Sequence, residues 1–209
     1  MPLLIKIFFV LLVLIISISI AWRLACSRWV LPWPHWLSFM MENPYMLVVN
    51  HPLDVVKRLN IQPGHHVLEV GCGAGRILVH CVKAVGEKGS VTGVDVQPLM
   101  LRKAKKRLDR LALVADLKCL DVTKLSGDFG LFDQVILVTV LGEIPRYDGF
   151  LEVVRDWLAP GGVLSVTEVI PDPCYLTKES VKLACESAGF DLISEHSRLL
   201  DYTLNFSKS

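Results

Sequence analysis

The stretch VLEVGCGAG, residues 67–75, decides the fold. Three apolar residues around one acid, Glu69, read as a buried strand, and glycines then alternate at 71, 73 and 75. Glycine reaches backbone conformations closed to other residues and lets a main chain approach a bound group closely. A dinucleotide fingerprint would run G-x-G-x-x-G, its last glycine permitting tight helix–strand packing. Here that position is Arg76, and Glu69 stands where it would repel a pyrophosphate. The turn suits a smaller ligand that is cationic or carries an amino group.

The segments that follow narrow the ligand. SVTGVD, residues 90–95, reads as the next strand and ends on Asp95, about 20 residues past the glycines, where a carboxylate can accept both hydroxyls of a ribose. ADLKCLD, residues 115–121, ends on Asp121, placed to reach an adenine amino group. An adenosine without phosphates and with a charged amino-acid tail is S-adenosylmethionine. Helical periodicity occupies residues 52–60, 75–86, 99–111 and 147–158, the last stopped by Pro160-Gly161-Gly162. Residues 177–189 read as a helix with a threonine cap, and with a glutamate placed for a capping box were Thr177 displaced by one. Strands are expected at 66–70, 132–140 and 163–169, and the closing segments 191–199 and 202–208 read as a hairpin. Buried strands separated by helices mean a mostly parallel sheet with helices on both faces, an α/β Rossmann-like fold.

In these segments the chain resembles the class I S-adenosylmethionine-dependent methyltransferases over roughly residues 53–206. VLEVGCGAG looks like their first motif, GVDVQPLML the second, CLDV the third, and FDQVILVTVLGEIP and WLAPGGVLSVTE the fourth strand and the turn before the fifth. Within the class, VLGEIP and the ending YTLNFSK are similar to small members of the ubiquinone/menaquinone type, or the type 11 group. The resemblance implies a seven-stranded sheet with one antiparallel strand near its C-terminal edge. It also implies S-adenosylmethionine as cofactor, held by Glu69, Gly71, Cys72, Gly73, Gly75, Asp95, Val96, Asp121 and Val122.

Mean hydropathy is +0.46, high for a soluble domain, and the cause is local. Residues 3–22 carry a single charge, Lys6, and twenty helical residues rise about 30 Å, the thickness of a bilayer's hydrocarbon core. We read residues 1–22 as a transmembrane helix, 23–52 as a tryptophan-rich interfacial linker and lid, and 53–209 as the methyltransferase domain. A signal peptide fits less well, because the apolar stretch is long and no clear cleavage site precedes Arg23 and Arg28. Those arginines place the domain on the cytoplasmic side of a single-pass protein. Trp22, Trp29, Trp33 and Trp36 share one helical face at offsets of seven, eleven and fourteen, interrupted by Pro32 and Pro34. Tryptophan favours the membrane interface, so this belt is expected to press the domain onto lipid. The run RKAKKRLDR, residues 102–110, reads as a solvated helix face, with anionic lipid headgroups as the alternative.

The net charge of +1 gives no electrostatic footprint for nucleic acid. The six cysteines show neither CxxC nor zinc spacing with the histidines, so buried reduced thiols are expected and a metal site is not. A methyl on a sulfonium is already activated, so orientation and exclusion of water should dominate. A base is needed only where the acceptor loses a proton, and Glu143, after the fourth strand, is the first candidate, with His51 second. Tyr45, Met46, Leu47 and Val48, between the belt and the first cofactor strand, are expected at the acceptor entrance. The reading is a membrane-anchored methyltransferase acting on a lipophilic small molecule: a phospholipid amine, a quinone precursor or a hydrophobic thiol. The alternative is a non-catalytic S-adenosylmethionine-binding membrane protein, acting as sensor or complex subunit.

Overall fold

The computed structural model describes residues 3–26, 34–124, 129–170 and 172–208; Arg28 and, of the expected belt, Trp29 and Trp33 lie outside them. Helix α1 (Leu3–Cys26) is apolar on all sides, and none of its most apolar window, Leu3–Trp22, is buried in the protein. By length and composition it is able to cross a membrane. A 3-10 helix, His35–Glu42, and the short α2 (Pro44–Val49) form a strap leading to α3 (Pro52–Leu59). Proline at the first helical position costs no hydrogen bond there, and the Asn43 side chain caps α2 by accepting from Met46 N–H.

The domain then runs β1 (His66–Val70), α4 (Leu78–Val85), β2 (Ser90–Asp95), α5 (Pro98–Arg110), β3 (Asp116–Cys119) and β4 (Phe132–Val138). It closes with α6 (Tyr147–Trp157), β5 (Leu158–Val169), α7 (Lys178–Ser187), β6 (Phe190–Ser197) and β7 (Asp201–Lys208). The seven strands stand in the order β3-β2-β1-β4-β5-β7-β6. β7 alone runs opposite to the other six strands, since only a short hairpin connects it to β6. Alternation in β4 shows why this central strand is apolar on both faces. Val135 and Leu137 join the core under α6 and α7, while Ile136 and Val138 join the opposite core with α3, α4 and α5. Every such side chain is buried because helices cover both faces.

Three local expectations are corrected. α4 begins at Leu78 and not at Gly75, because the residues ahead of it stay in the turn and Arg76 reaches back to the strap. Thr177 Oγ1 accepts from Ser180 N–H at 3.2 Å, so serine occupies the third helical position and no capping box forms. The Pro-Gly-Gly segment does follow the end of α6, but it is absorbed into β5. Phe132 of β4 pairs Leu158 and Gln134 pairs Val163, so Ala159–Gly162 loop out across one register step.

Candidate active site

The order of strands reverses between β1 and β4, and ligands of open α/β sheets bind beyond the carboxyl ends at that crevice. A cleft lies there, walled by residues 69–74 after β1, by Asp95–Gln97 after β2, by Leu120–Thr123 after β3 and by Val138–Val140 and Glu143 after β4. Ser38 and Glu42 of the strap form its lid.

The glycines are held open by their conformations. Gly71, Gly73 and Gly75 all have positive φ, which a side chain adopts only with strain. A Cβ on Gly71 would lie 2.4 Å from Val140 Cγ2, whereas one on Gly73 would meet nothing within 4 Å. Gly73 therefore faces the open space of the cleft. Gly75 does not line it, and instead lets α5 pack close, 3.1 Å from Ala104 Cβ.

Asp95 ends β2 and is held from both sides: Gly73 N–H donates to Oδ2 at 2.9 Å and Gln97 N–H to Oδ1 at 2.8 Å. Each oxygen keeps a lone pair for another donor. Burial pushes this carboxyl up, with the two backbone hydrogen bonds opposing it. Glu69 points to the face of β1 covered by α3 and α4 and is 3% exposed. Its Oε2 is buried without a hydrogen-bond partner, and burial pushes its pKa up to about 8, against the attraction of Arg76. An orphaned buried carboxylate oxygen beside an open glycine turn fits a ligand that brings its own ammonium group. Cys72, Val96 and Val122 supply apolar lining. Asp121 also lines the cleft, but its Oδ1 accepts from the N–H and Oγ1 of Thr123 and its Oδ2 pairs with Lys124 at 3.0 Å. The hydrogen bond from Thr123 is the chief cause holding that carboxyl below its ordinary range.

The base candidates separate. Glu143, in the 3-10 turn Leu141–Glu143, lines the cleft near Asp172. Behind them Glu168 is 1% exposed, and burial followed by the charge of Asp172 pushes its carboxyl well up. His51 is not brought to the cleft; its Nδ1 accepts from Leu53 N–H at 3.3 Å and caps α3. Tyr45, Met46, Leu47 and Val48 do not line the cleft either. Met46 is buried with Val49 against Val169, Tyr45 hydrogen-bonds Ile170 O, and Leu47 and Val48 are exposed.

The strap's fastenings escaped the sequence reading. Lys103 donates to His35 O at 2.5 Å and to Ser38 Oγ at 2.7 Å, and Arg107 pairs with Glu42. Arg76 donates to the main-chain and side-chain oxygens of Asn50, which is wholly buried. Two cations of the supposed solvated face on α5 thus hold the lid. A basic residue every four along that helix was the available signal, but nothing in it named the partner. Among the cysteines, Cys72, Cys81 and Cys185 are buried free thiols and Cys119 is an exposed one. Cys174 is disulfide-bonded, which corrects the expectation of reduced thiols throughout; pairing depends on distance in the fold, which spacing in sequence does not show.

Residues 67–162 match the model of a methyltransferase domain family. The crystal structure of a SAM-dependent methyltransferase from Aquifex aeolicus superposes with a TM-score of 0.75 at 23% identity, over 85% of this chain and all of that one. The chain carries a methyltransferase domain, on the fold of an S-adenosylmethionine-dependent methyltransferase. A demethylmenaquinone methyltransferase of Staphylococcus epidermidis is 31% identical over 132 residues, 62% of this chain and 53% of that protein. The ubiquinone/menaquinone biosynthesis C-methyltransferase UbiE of Bordetella avium is 33% identical over 113 residues, 54% of this chain and 44% of that one. The chain thus spans about half the length of the curated relatives it matches. Magnesium protoporphyrin IX methyltransferase from Synechocystis, solved with bound SAM, shares the methyltransferase fold at a TM-score of 0.60 and 19% identity, over 76% of each chain.

Proposed function

We propose that the protein is a membrane-anchored enzyme that moves a methyl group from S-adenosylmethionine to a lipophilic small molecule, with a quinone precursor as the favoured acceptor. The observation that carries this reading is the orphaned Glu69 oxygen facing the same cleft as open Gly73 and backbone-held Asp95. The similarity to demethylmenaquinone and ubiquinone/menaquinone methyltransferases supports the acceptor class. When bound, the cofactor supplies a methyl group already activated by its sulfonium.

The chain's own residues then have distinct tasks. Gly71 and Gly73 give the backbone turn its shape, Asp95 accepts from the ribose hydroxyls, and Glu69 balances the ammonium. Asp121, Val96 and Val122 border the adenine. Val138, Val140 and Ile144 make an apolar wall that keeps water from the reacting pair. Glu143 takes a proton where the acceptor must lose one. Tyr45, Met46, Leu47, Val48 and His51 stay outside the cleft and support it through the strap and the start of α3.

Glu69 gives a pH test with a definite sign. With a pKa of about 8 it is mostly protonated at pH 7 in the free protein. An ammonium beside it favours the ionised form, so binding at pH 7 should release about one proton from this site. Affinity should accordingly rise as pH increases towards 8. Calorimetry in buffers of different ionisation enthalpy checks this, and Glu69→Gln should remove the proton release. Equal release in both proteins would show that Glu69 does not meet the ammonium.

Anchorage is a separate proposal. Residues 1–22 span the membrane, the linker 23–52 lies at its surface, and the methyltransferase domain comprises 53–209. Trp36, Phe39 and Met40 of the strap are exposed, as an interfacial face requires. A chain beginning at Pro34 is expected to leave the membrane fraction and to keep cofactor affinity within about threefold, an energy difference under ~0.7 kcal/mol. Loss of cofactor binding would make α1 part of the fold. Arg23 and Arg28, beyond the apolar stretch 3–22, favour the cytoplasmic side, whereas a disulfide at Cys174 is more at home in an oxidising compartment. Cys119 decides between them, because it is an exposed free thiol on the domain. Labelling of intact cells with a membrane-impermeant maleimide should spare it if the domain is cytoplasmic.

A further inference from the structure

A second cavity, of about 450 Å³, lies between the last turns of α1 and the loops after β4 and β5. One wall is Ile20 and Leu24 of α1, and the other is made by Pro145, Tyr147, Tyr175 and Leu176. Its volume is in the range of sites that enclose small molecules, about 300–1,000 Å³. Ile144 lines both this groove and the cofactor cleft, and is itself 6% exposed. Ile144 is therefore part of the wall between the two. The groove is apolar and aromatic apart from Arg146, which is exposed at its edge and holds a left-handed conformation with φ 54°.

We infer that this groove binds the hydrocarbon tail of the acceptor, with the reactive head passing Ile144 into the cofactor cleft. The inference rests on the reading of a lipophilic acceptor and deepens it. Two observations choose the acceptor's tail over an ordinary bilayer lipid. The groove shares Ile144 with the cofactor cleft, so one end of its occupant lies beside the methyl-transfer site. Its other wall is the only described helix with the length and composition of a membrane span, and the exposed Ile20 and Leu24 lead directly into it. A tail sliding along α1 stays on apolar surface from the hydrocarbon layer to Ile144. By contrast, Leu47 and Val48 face solvent away from the cleft and offer no such path. The membrane helix on this account is one wall of the substrate site as well as a tether.

The test uses the full chain in vesicles and a geranylgeraniol bearing a terminal diazirine as photoprobe. Labelling is expected within residues 142–147 and 173–176. Leu24→Asp should lower it at least about tenfold, the effect of losing one leucine contact with the tail and adding a charge, with S-adenosylmethionine affinity unchanged. A 2-geranylgeranyl-naphthoquinol should compete with the probe, and a phospholipid with acyl chains of similar length should not. Labelling spread along the exposed length of α1, labelling indifferent to Leu24→Asp, or equal competition by the phospholipid would each overturn the inference. Methyl transfer into the naphthoquinol is measured in parallel. Its absence alongside specific groove labelling removes the quinone reading and leaves the tail site standing.

Discussion

Replacing Gly73 with arginine is expected to abolish S-adenosylmethionine binding and to leave the domain folded. The position has φ 53° and open space where a side chain would point. A non-glycine residue in that conformation costs roughly 1–2 kcal/mol, which a folded domain tolerates. The long side chain would instead occupy the volume the ligand needs and bring a cation towards the carboxylates of Glu69 and Asp95. Asp95→Ala should act more mildly, because it removes acceptors and not space. Hydrogen bonds to a charged group contribute about 1.5–3 kcal/mol each, so affinity should fall about tenfold or more. Calorimetry with both variants checks the pair. Unchanged affinity in both, or tight binding of NAD by the wild type, would remove the cofactor assignment.

Arg58→Ala should be strongly destabilising, although it lies outside the cleft. Arg58 on α3 donates to Asp201 Oδ2 at 2.8 Å, and the Asp201 side chain is fully buried at the start of β7. Breaking a buried pair by removing one partner costs about 3–5 kcal/mol, because the remaining charge has neither water nor a counterion. The loss is measured as the shift in denaturant midpoint at constant slope. Combining Arg58→Met with Asp201→Leu should recover much of it, since no buried charge is then left alone. A single variant as stable as the wild type would show that water reaches Asp201. The same contact explains how α3, ahead of the first strand, is held against the antiparallel end of the sheet. Asn205 Nδ2 reinforces it by donating to Arg58 O at 2.9 Å.

The parallel centre of the sheet was legible because β1 and β4 carry dense apolar runs, a pattern that burial on both faces selects, whereas the edge strand β3, Asp-Leu-Lys-Cys, carries none. The glycine turn was legible because positive φ at residues 71, 73 and 75 leaves few alternatives to glycine. Asp95 was legible from its distance along the chain to that turn. What remained hidden depends on meetings between distant residues. The period of GRILVHCV fits a helix from Gly75, but Gly75 holds φ 76° and Arg76 is tied to Asn50, neither of which the period shows. His51 looked like a base because histidine in a loop before the first strand has the right chemistry; its ring is used locally as a helix cap. Met46 reads as an exposed apolar residue of a lid, and is buried because Val169 at the end of β5 lies beneath it. The groove beside α1 could not be read at all, since its walls are separated by more than a hundred residues.

The central claim is methyl transfer to a lipophilic acceptor at the membrane. It is tested most directly by incubating the full chain in vesicles with methyl-labelled S-adenosylmethionine and a prenylated naphthoquinol, then identifying the labelled product by mass. The account predicts label in the prenylated quinol, little in a tail-free quinol, and none with the Gly73→Arg protein. Binding of S-adenosylmethionine without transfer to the prenylated quinol or to any component of a total membrane-lipid extract would contradict it.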